Sequence, residues 1–329
     1  MKNFNVITIG NALLDVFLSI QEHNIFTQIN QADHTLCFKY GEKIHVEDCE
    51  FLLGGNACNV AVGLSRLGLS TVLCAEIGDD EFSQKIIHSL SKETLDTSLL
   101  MQTAGAASSF AVGIGYGGER TLFVEHVARK HDFHFDDVVA EWIYLTSLGE
   151  EWRQAYSRVL DYVKSHNRKL AFSPGTHQFE EEGHRGINEI LPLTDILFVN
   201  REEAEKVISN KKKVISIKEL LIELQKLGPK VVSITDGQNG SYAMDTNGHT
   251  YSLAVFPCKV IEKTGAGDAY ASGFLSAVIG GGSIKEAMRW GAVNAAAVIE
   301  KIGAQQGLLK REEIVKKLEG NSAFITKTM

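Results

Sequence analysis

From about residue 142 onward, short β-rich runs alternate with stretches of helical periodicity. The runs at 142–146, 169–172, 196–199 and Val231–Thr235 are each preceded or followed by such a stretch. Strands joined through helices lie parallel, and right-handed crossovers put the helices on both faces of the sheet. The runs are apolar almost throughout rather than alternating, as strands covered on both sides must be. The expected fold class is therefore α/β, a doubly wound, mostly parallel sheet with helices on both faces. Residues 6–9, ending at Gly10, read as a further buried strand. Residues 55–67 read as a helix in which Val60, Leu64 and Leu67 share one face and Gly68 ends the element. Thr71–Ile77 reads as a strand, and the helix at 81–91 is expected to be capped by Asp79 or Asp80.

Two stretches break this rhythm. Residues 13–51 carry β-like runs at 16–20 and 36–40 between polar loops. Residues 105–126 contain a hairpin-like stretch with Gly117-Gly118 near its turn. Both are read as one small β-sheet lid inserted in a single domain spanning 1–329. Ser241–Met244 and residues 250–255 flank Asp245-Thr246-Asn247-Gly248 and read as a hairpin. A helix is expected to begin near Ala266 and end before Gly280-Gly281-Gly282. A second opens at Ser283 with Glu286 three residues on, a capping box. A short amphipathic helix near Arg311–Glu319 follows.

Composition excludes several partners. Lys and Arg total 33 against 41 Asp and Glu, a net charge of −8. Nucleic acid and anionic membranes both demand basic surface, so neither is an expected partner. The apolar runs are too short to cross a membrane as a helix. The five cysteines are scattered, with no C-x-x-C pair. They read as unpaired buried thiols in a reducing cytosol, so a cytoplasmic location is expected.

The feature richest in chemistry is Lys263-Thr264-Gly265-Ala266-Gly267-Asp268-Ala269. Small residues at the start of a helix let main-chain N–H groups converge, and the helix dipole adds to them, making an anion site. Such a site suits a phosphoryl group in transfer, and one well-placed donor contributes about 3 kcal/mol to a transition state. Asp268 follows at once and is placed to take a proton from an attacking hydroxyl. The neighbouring N–H groups are expected to keep it ionised, hence weakly basic at rest. The competing reading is a glycine-rich helix start with Asp268 in a capping position.

Three further motifs sit at strand ends. Gly54-Gly55-Asn56-Ala57-Cys58-Asn59 joins a β run to a helix, and its glycines permit close approach of a ligand while Asn59 both donates and accepts. Asn200 and Glu203 fall three apart after the strand ending at Val199, on one helical face, where they suit hydrated Mg²⁺ or simply a solvated first turn. Thr235-Asp236-Gly237-Gln238-Asn239-Gly240 either cradles a nucleotide or turns the chain. Gly113-Ile114-Gly115-Tyr116-Gly117-Gly118 matches G-x-G-x-x-G, but a β run follows it instead of a helix, so it lacks the context of a dinucleotide site. His131 and His134 have no metal partners nearby in sequence and read as surface residues.

In their order and spacing these motifs resemble the ribokinase family, also called the PfkB carbohydrate kinases, from Gly10 to Gly303. Gly54-Gly55 with Asn59 resembles the first family signature. Thr264-Gly265-Ala266-Gly267-Asp268 resembles the second, and Asn200-x-x-Glu203 the N-x-x-E motif. Gly10-Asn11-Ala12-Leu13-Leu14-Asp15 resembles the opening motif. The resemblance implies a doubly wound sheet with a β lid and an ATP- and Mg²⁺-dependent kinase acting on a primary alcohol of a small sugar. It implies Asp268 as base and the N–H groups of Gly265, Ala266 and Gly267 as the anion hole. Asn200 and Glu203 would organise phosphates and Mg²⁺, with Glu203 reaching the metal through water. Thr235, Gly237, Gly240, Thr264 and Asn294 would bind ATP, and Asn11, Asp15, Gly54, Gly55 and Asn59 the acceptor. Many members carry Asp-Thr where this chain has Glu262-Lys263, which puts activation by a monovalent cation in doubt. Asn56 stands where ribose-specific members often have Lys, which weakens an assignment to ribose.

Two other readings stand beside this one. A nucleoside kinase of the same fold would share every motif, since Gly-Asn-Ala-Leu-Leu-Asp is also similar to the opening of adenosine kinases. A non-catalytic sugar or nucleotide sensor would have no need of Asp268. A second copy of the chain could pair with an exposed edge of the lid sheet.

Overall fold

The computed structural model describes residues 2–21, 24–30, 32–33, 35–116, 119–125, 127–135, 138–180, 185–208 and 215–329. In chain order the elements are β1 (Lys2–Ile9), β2 (Leu13–Ile20), β3 (Thr27–Asn30), β4 (Thr35–Phe38), β5 (Val46–Gly54), α1 (Asn56–Arg66), β6 (Thr71–Ile77), α2 (Glu81–Leu90), β7 (Asp96–Gln102), β8 (Phe110–Tyr116) and β9 (Glu119–Glu125). There follow β10 (Val138–Thr146), α3 (Trp152–His166), β11 (Lys169–Ser173), α4 (Thr176–Glu180), α5 (Arg185–Ile190), β12 (Ile196–Asn200), α6 (Arg201–Ile208), α7 (Ile217–Lys226) and β13 (Val231–Thr235). The chain ends with β14 (Ser241–Met244), β15 (Thr250–Leu253), α8 (Ala266–Ile279), α9 (Ile284–Val298), α10 (Arg311–Glu319) and β16 (Lys327–Thr328).

The main sheet has ten strands in the order β16-β15-β14-β13-β12-β11-β10-β1-β6-β7. From β7 to β13 every pairing is parallel, and β14, β15 and β16 add antiparallel strands at one edge. The apolar runs explain the parallel core. Ile7, Ile9, Ile143 and Leu145 point to one face and pack with Trp152, Tyr156, Leu220 and Leu224 of the helices there. Val6, Trp142, Tyr144 and Phe198 point to the other, against Val60, Leu64, Phe274 and Trp290 of α1, α8 and α9. The strand order runs outward from β1 in both directions, to β6 on one side and β10 on the other. A crevice outside the carboxyl ends of the strands at such a reversal is where open α/β sheets take ligands.

The pair α8 and α9 packs tightly because glycine meets main chain in both directions. A Cβ on Gly273 would lie 2.7 Å from the Trp290 carbonyl oxygen, and one on Gly291 would lie 2.8 Å from that of Tyr270. The close fit fixes α8, and with it the position of Asp268 in its first turn.

The two excursions form more than one small sheet. Strands β5, β2, β8 and β9 make a four-stranded sheet, while β3 and β4 pair separately as a hairpin. In the larger of these sheets β2 pairs parallel with β8, and the other pairings are antiparallel. The hairpin of β8 and β9 has the expected form, although Gly117 and Gly118 lie outside the described residues. Strands β7 and β16, both edge strands, have no counterpart in the sequence reading. Residue Asp80 caps α2, accepting from the Ser83 N–H at 2.9 Å. Two of the thiols, Cys58 and Cys74, are buried, whereas Cys49 in β5 is exposed, and Cys37 in β4 and Cys258 in the loop after β15 are half-buried. Among the described residues no helix is long and apolar enough to cross a membrane.

Phe274 sits at the centre of the α8 face, fully buried and edge-on to Phe198 at 5.3 Å between ring centroids. Phe274→Ala should lower unfolding free energy by about 3–5 kcal/mol, read from the urea midpoint at unchanged slope. A shift under 1 kcal/mol would show that this face does not hold α8 in place.

Candidate active site

The turn before α8 brings its first residues to the crevice. Gly265 occupies the left-handed region at φ 72°, and a Cβ there would collide with Ala304. Both constraints call for glycine. The amides of Gly267 and Asp268 then fall in the first helical turn, where no intrahelical carbonyl reaches them. The Ala266 N–H makes a long 3.4 Å contact to the Lys263 carbonyl. Nothing stands within 4 Å of where a Cβ on Gly267 would be, so the helix end opens onto free space. The free first-turn amides at an open helix end are the arrangement that the heptapeptide leads one to expect.

Asp268 accepts a hydrogen bond from Asn59 Nδ2 to Oδ2 at 2.8 Å. Burial pushes its carboxyl from the ordinary 3.8 up to about 7. The Asn59 amide pulls the other way, and the charges of Glu203 and Asp15 add to the rise. The sequence reading expected Asp268 to be held ionised by nearby N–H groups. Instead desolvation outweighs the hydrogen bond, so it titrates near neutrality and is a better base than expected.

Asp15, in β2, is 7 % exposed. Burial raises its carboxyl to about 7, with the Arg120 guanidinium lowering it and Glu262 raising it further. It fits only because residue 54 is glycine: a Cβ there would fall on the Asp15 carboxylate. Gly55, at φ 96°, starts α1, and a Cβ on it would strike the Asn11 carbonyl. That carbonyl accepts the Cys58 N–H at 3.3 Å, while the Asn11 side chain reaches Ser147 Oγ at 3.5 Å. The strand-to-helix turn at 54–56 and the β1–β2 turn are thus packed on each other, which sets Asn59 beside Asp268.

Asn200 and Glu203 cap α6 reciprocally. The Asn200 N–H donates to Glu203 Oε2 and the Glu203 N–H to Asn200 Oδ1, each at 2.8 Å. Burial raises the Glu203 carboxyl, partly offset by the Asn200 N–H. Thr235 pairs in register with Asn200. Beyond it, Gly237 is exposed with open space around it, whereas a Cβ on Gly240 would strike the Leu253 carbonyl, a packing role. Arg201 ties the two loops together, donating from Nη1 to Asp236 Oδ2 at 3.3 Å.

Two expectations need correcting. Asn294 does not face the crevice. It is fully buried, its Nδ2 donates to the Ala269 carbonyl at 2.9 Å and to Ser272 Oγ at 3.1 Å, and its Oδ1 accepts the Leu309 N–H at 3.0 Å. Its amide is used up holding α8, α9 and the following loop together. His131 is no surface residue: it is 3 % exposed, with Nδ1 3.4 Å from Glu76 Oε2, because the chain leaving β9 folds back over the end of β6. His134 is exposed, as expected.

Three further residues meet around the site: Glu262, which the sequence marks only as a departure from the family's Asp, and Arg120 and Gln305, which belong to no motif. Glu262 accepts the Thr264 N–H at 2.6 Å and the Thr264 hydroxyl on Oε1, accepts the Gly303 N–H at 3.1 Å on Oε2, and pairs with Arg120 of β9. Arg120 lies 5.9 Å from the Phe17 ring centroid, on the sheet face that also carries Asp15. Gln305 donates from Nε2 to Asn59 Oδ1 at 2.8 Å. A cavity of about 370 Å³ lies between this face and the loop before α8, lined by Phe17, Tyr116, Arg120, Glu262 and Ile302 among others. Among the described residues no group of three or more His, Cys, Asp or Glu side chains is arranged to hold a metal.

The chain is similar to known proteins over nearly its whole length. The chain is 25% identical over 338 residues to a 5-dehydro-2-deoxygluconokinase of Bacillus subtilis, covering 98% of each. A ribokinase from Thermotoga maritima superposes with a TM-score of 0.78 at 20% identity, over 96% of this chain and 99% of that one. A ribokinase of Arabidopsis thaliana, complexed with ribose and ATP, gives 0.75 at 18% identity over 97% and 99%. These structures are ribokinase-fold proteins, a mostly parallel central sheet with a small sheet as lid. The pattern described as pfkB family carbohydrate kinase matches residues 17–311, so this chain belongs to the pfkB family and is a carbohydrate kinase.

Proposed function

We propose that the chain transfers the γ-phosphoryl group of ATP to a hydroxymethyl group of a small sugar acid, with Asp268 as base. The observation that carries this is one carboxylate, Asp268, fixed by Asn59 at the open N-terminus of α8 and facing Asp15 and Glu203. Asp268 takes the acceptor's hydroxyl proton as the oxygen attacks phosphorus. The bond from phosphorus to the bridging oxygen breaks, ADP leaves, and the proton passes from Asp268 to solvent. The first-turn amides of α8 stabilise the charge on the moving phosphoryl group, and Thr264 flanks it.

Asp15, Asn59, Asn11 and the space left by Gly54 and Gly55 hold the acceptor. The loop from Thr235 to Gly240 takes the nucleotide, with Gly237 as the open part and Gly240 as the turn. Mg²⁺ is usually held through its waters and the substrate's phosphates with only one or two carboxylates, so a three-acid cage is not required for it. Glu203 and Asn200 would face it, and when bound it neutralises phosphate charge. The lid sheet excludes water from the transfer.

The sugar-acid reading rests on the relatives' name and on Arg120, whose guanidinium acts on Asp15 from the lid. An ATP-coupled assay with 5-dehydro-2-deoxy-D-gluconate, ribose and adenosine tests it: the sugar acid should give the highest kcat/KM. Preference for adenosine would establish a nucleoside kinase instead, and no transfer to any acceptor would favour the sensor reading.

Asp268→Asn should lower kcat by about 300-fold or more while MgATP affinity, measured calorimetrically, changes less than about threefold. Undiminished turnover would remove Asp268 as base. The base must be ionised, so kcat/KM should climb as pH rises through about 7, a limb that belongs to Asp15 and Asp268 together. Stability has the opposite sign. A carboxyl whose folded pKa lies above 3.8 loses stability as pH rises from about 4 through 7. Asp268→Asn should therefore raise Tm at pH 8, and the gain should vanish near pH 4; a lower Tm at pH 8 would contradict the burial account.

A further inference from the structure

We propose that Gln305 is a positioning residue that selects which end of the Asn59 amide meets the Asp268 carboxylate. The proposal rests on the reading of Asp268 as base. An asparagine side chain has one donating and one accepting end. Gln305 Nε2 lies 2.8 Å from Asn59 Oδ1, and Asn59 Nδ2 lies 2.8 Å from Asp268 Oδ2. Because the glutamine donates, only the Asn59 NH₂ is left for Asp268, which is what an ionised carboxylate requires. With Asn59 turned over, two oxygens would face each other at the same distance unless Asp268 carried a proton. Asn59 is 5 % and Gln305 8 % exposed, so the relay lies largely out of reach of solvent.

Gln305 is itself held. Arg66 Nη1 donates to its main-chain carbonyl at 2.8 Å and to that of Leu308 at 3.3 Å, which fixes the backbone, while the rest of the Arg66 fork engages Glu93. The two residues before it also serve the turn: Gly303 donates to Glu262, and Ala304 fills the space that makes residue 265 a glycine. Residues 303–305 thus form one backing strap, of which Gln305 is the part that reaches Asn59. The groups acting on Asp268 are Asn59 from α1, Glu203 from α6 and Asp15 from β2, and Gln305 acts on it through the first of these.

The near-isosteric Gln305→Glu supplies an acceptor where a donor stood, so Asn59 should turn its NH₂ away from Asp268. Its kcat should fall about 30-fold or more at pH 7, with KM for ATP within about twofold of wild type, and the acid limb of kcat/KM should move up by about one pH unit. The neutral Gln305→Leu separates amide orientation from added charge. It removes the selection without imposing the wrong end, so kcat should drop about three- to tenfold and the limb should move up less. The ionisation of Asp268 in the substrate-free chain, followed by carboxyl-carbon NMR, should shift in the same order: wild type lowest, Leu next, Glu highest. This readout stands even if no acceptor is turned over, so failure of the base reading and failure of the relay are distinguishable. A midpoint and kcat in the Leu variant equal to wild type would overturn the proposal, as would Glu and Leu variants with equal effects. If Gln305→Glu does not fold, the Leu variant alone decides.

Discussion

A carboxylate withdrawn from water at the amino end of a helix is under two opposed forces. Desolvation drives Asp268 toward its neutral form, while the α8 dipole and the Asn59 amide favour the charge. Among the described residues Asp268 has no ion-pair partner, and the nearest other charges are the like-signed Asp15 and Glu203. The balance falls near neutral pH. A carboxylate paired with a cation would be ionised far below pH 7 and would hold a proton poorly. One in a wholly apolar pocket would never ionise. The surrounding fold can be understood as what keeps Asp268 between these limits.

That task is distributed over distant parts of the chain. Close packing of α8 on α9 fixes the helix, and it needs glycine at 273 and 291. The β1–β2 turn and the start of α1 are locked by the Asn11 carbonyl, so Asn59 arrives at the right height. The strap at 303–305 backs the anion turn, Glu262 and Asn59 at once. Asn200 and Glu203 show the same economy. They cap α6 for each other, and so the side chains proposed to face a hydrated cation also define where the helix begins.

Much of the fold was legible because its signals are local. The apolar runs around residues 143, 197 and 232 are short, rich in β-branched and aromatic residues and alternate with helical stretches, as interior strands of a parallel sheet do, and Gly265-Ala266-Gly267 marks a helix start. The hairpin at β14 and β15 follows from its turn residues. What escaped depends on contacts far apart in sequence. Asn294 carries no local sign that its amide is saturated by Ala269, Ser272 and Leu309. The burial of His131 depends on the chain leaving the lid and folding over β6. The titration of Asp268 depends on desolvation by the whole cleft, which a heptapeptide does not encode. The hairpin of β3 and β4 separates from the lid sheet because β2 takes β5 and β8 as its two neighbours, a choice of pairing that composition leaves open. Gln305 and Arg120 belong to no motif and are found only by following hydrogen bonds and ion pairs outward from the base.

Glu262 joins parts of the protein that are otherwise free to diverge. One carboxylate holds Thr264 in the turn before α8, Gly303 in the strap behind it and Arg120 in the lid sheet. A chimera that exchanged residues 105–126 for those of a relative with a different side chain at position 120 would leave Glu262 half-buried beside a stranger. The covering sheet is therefore not a modular cap. The face of the lid that carries Arg120 and the turn before α8 have to change as a matched set, with residue 262 as the hinge pin of the exchange.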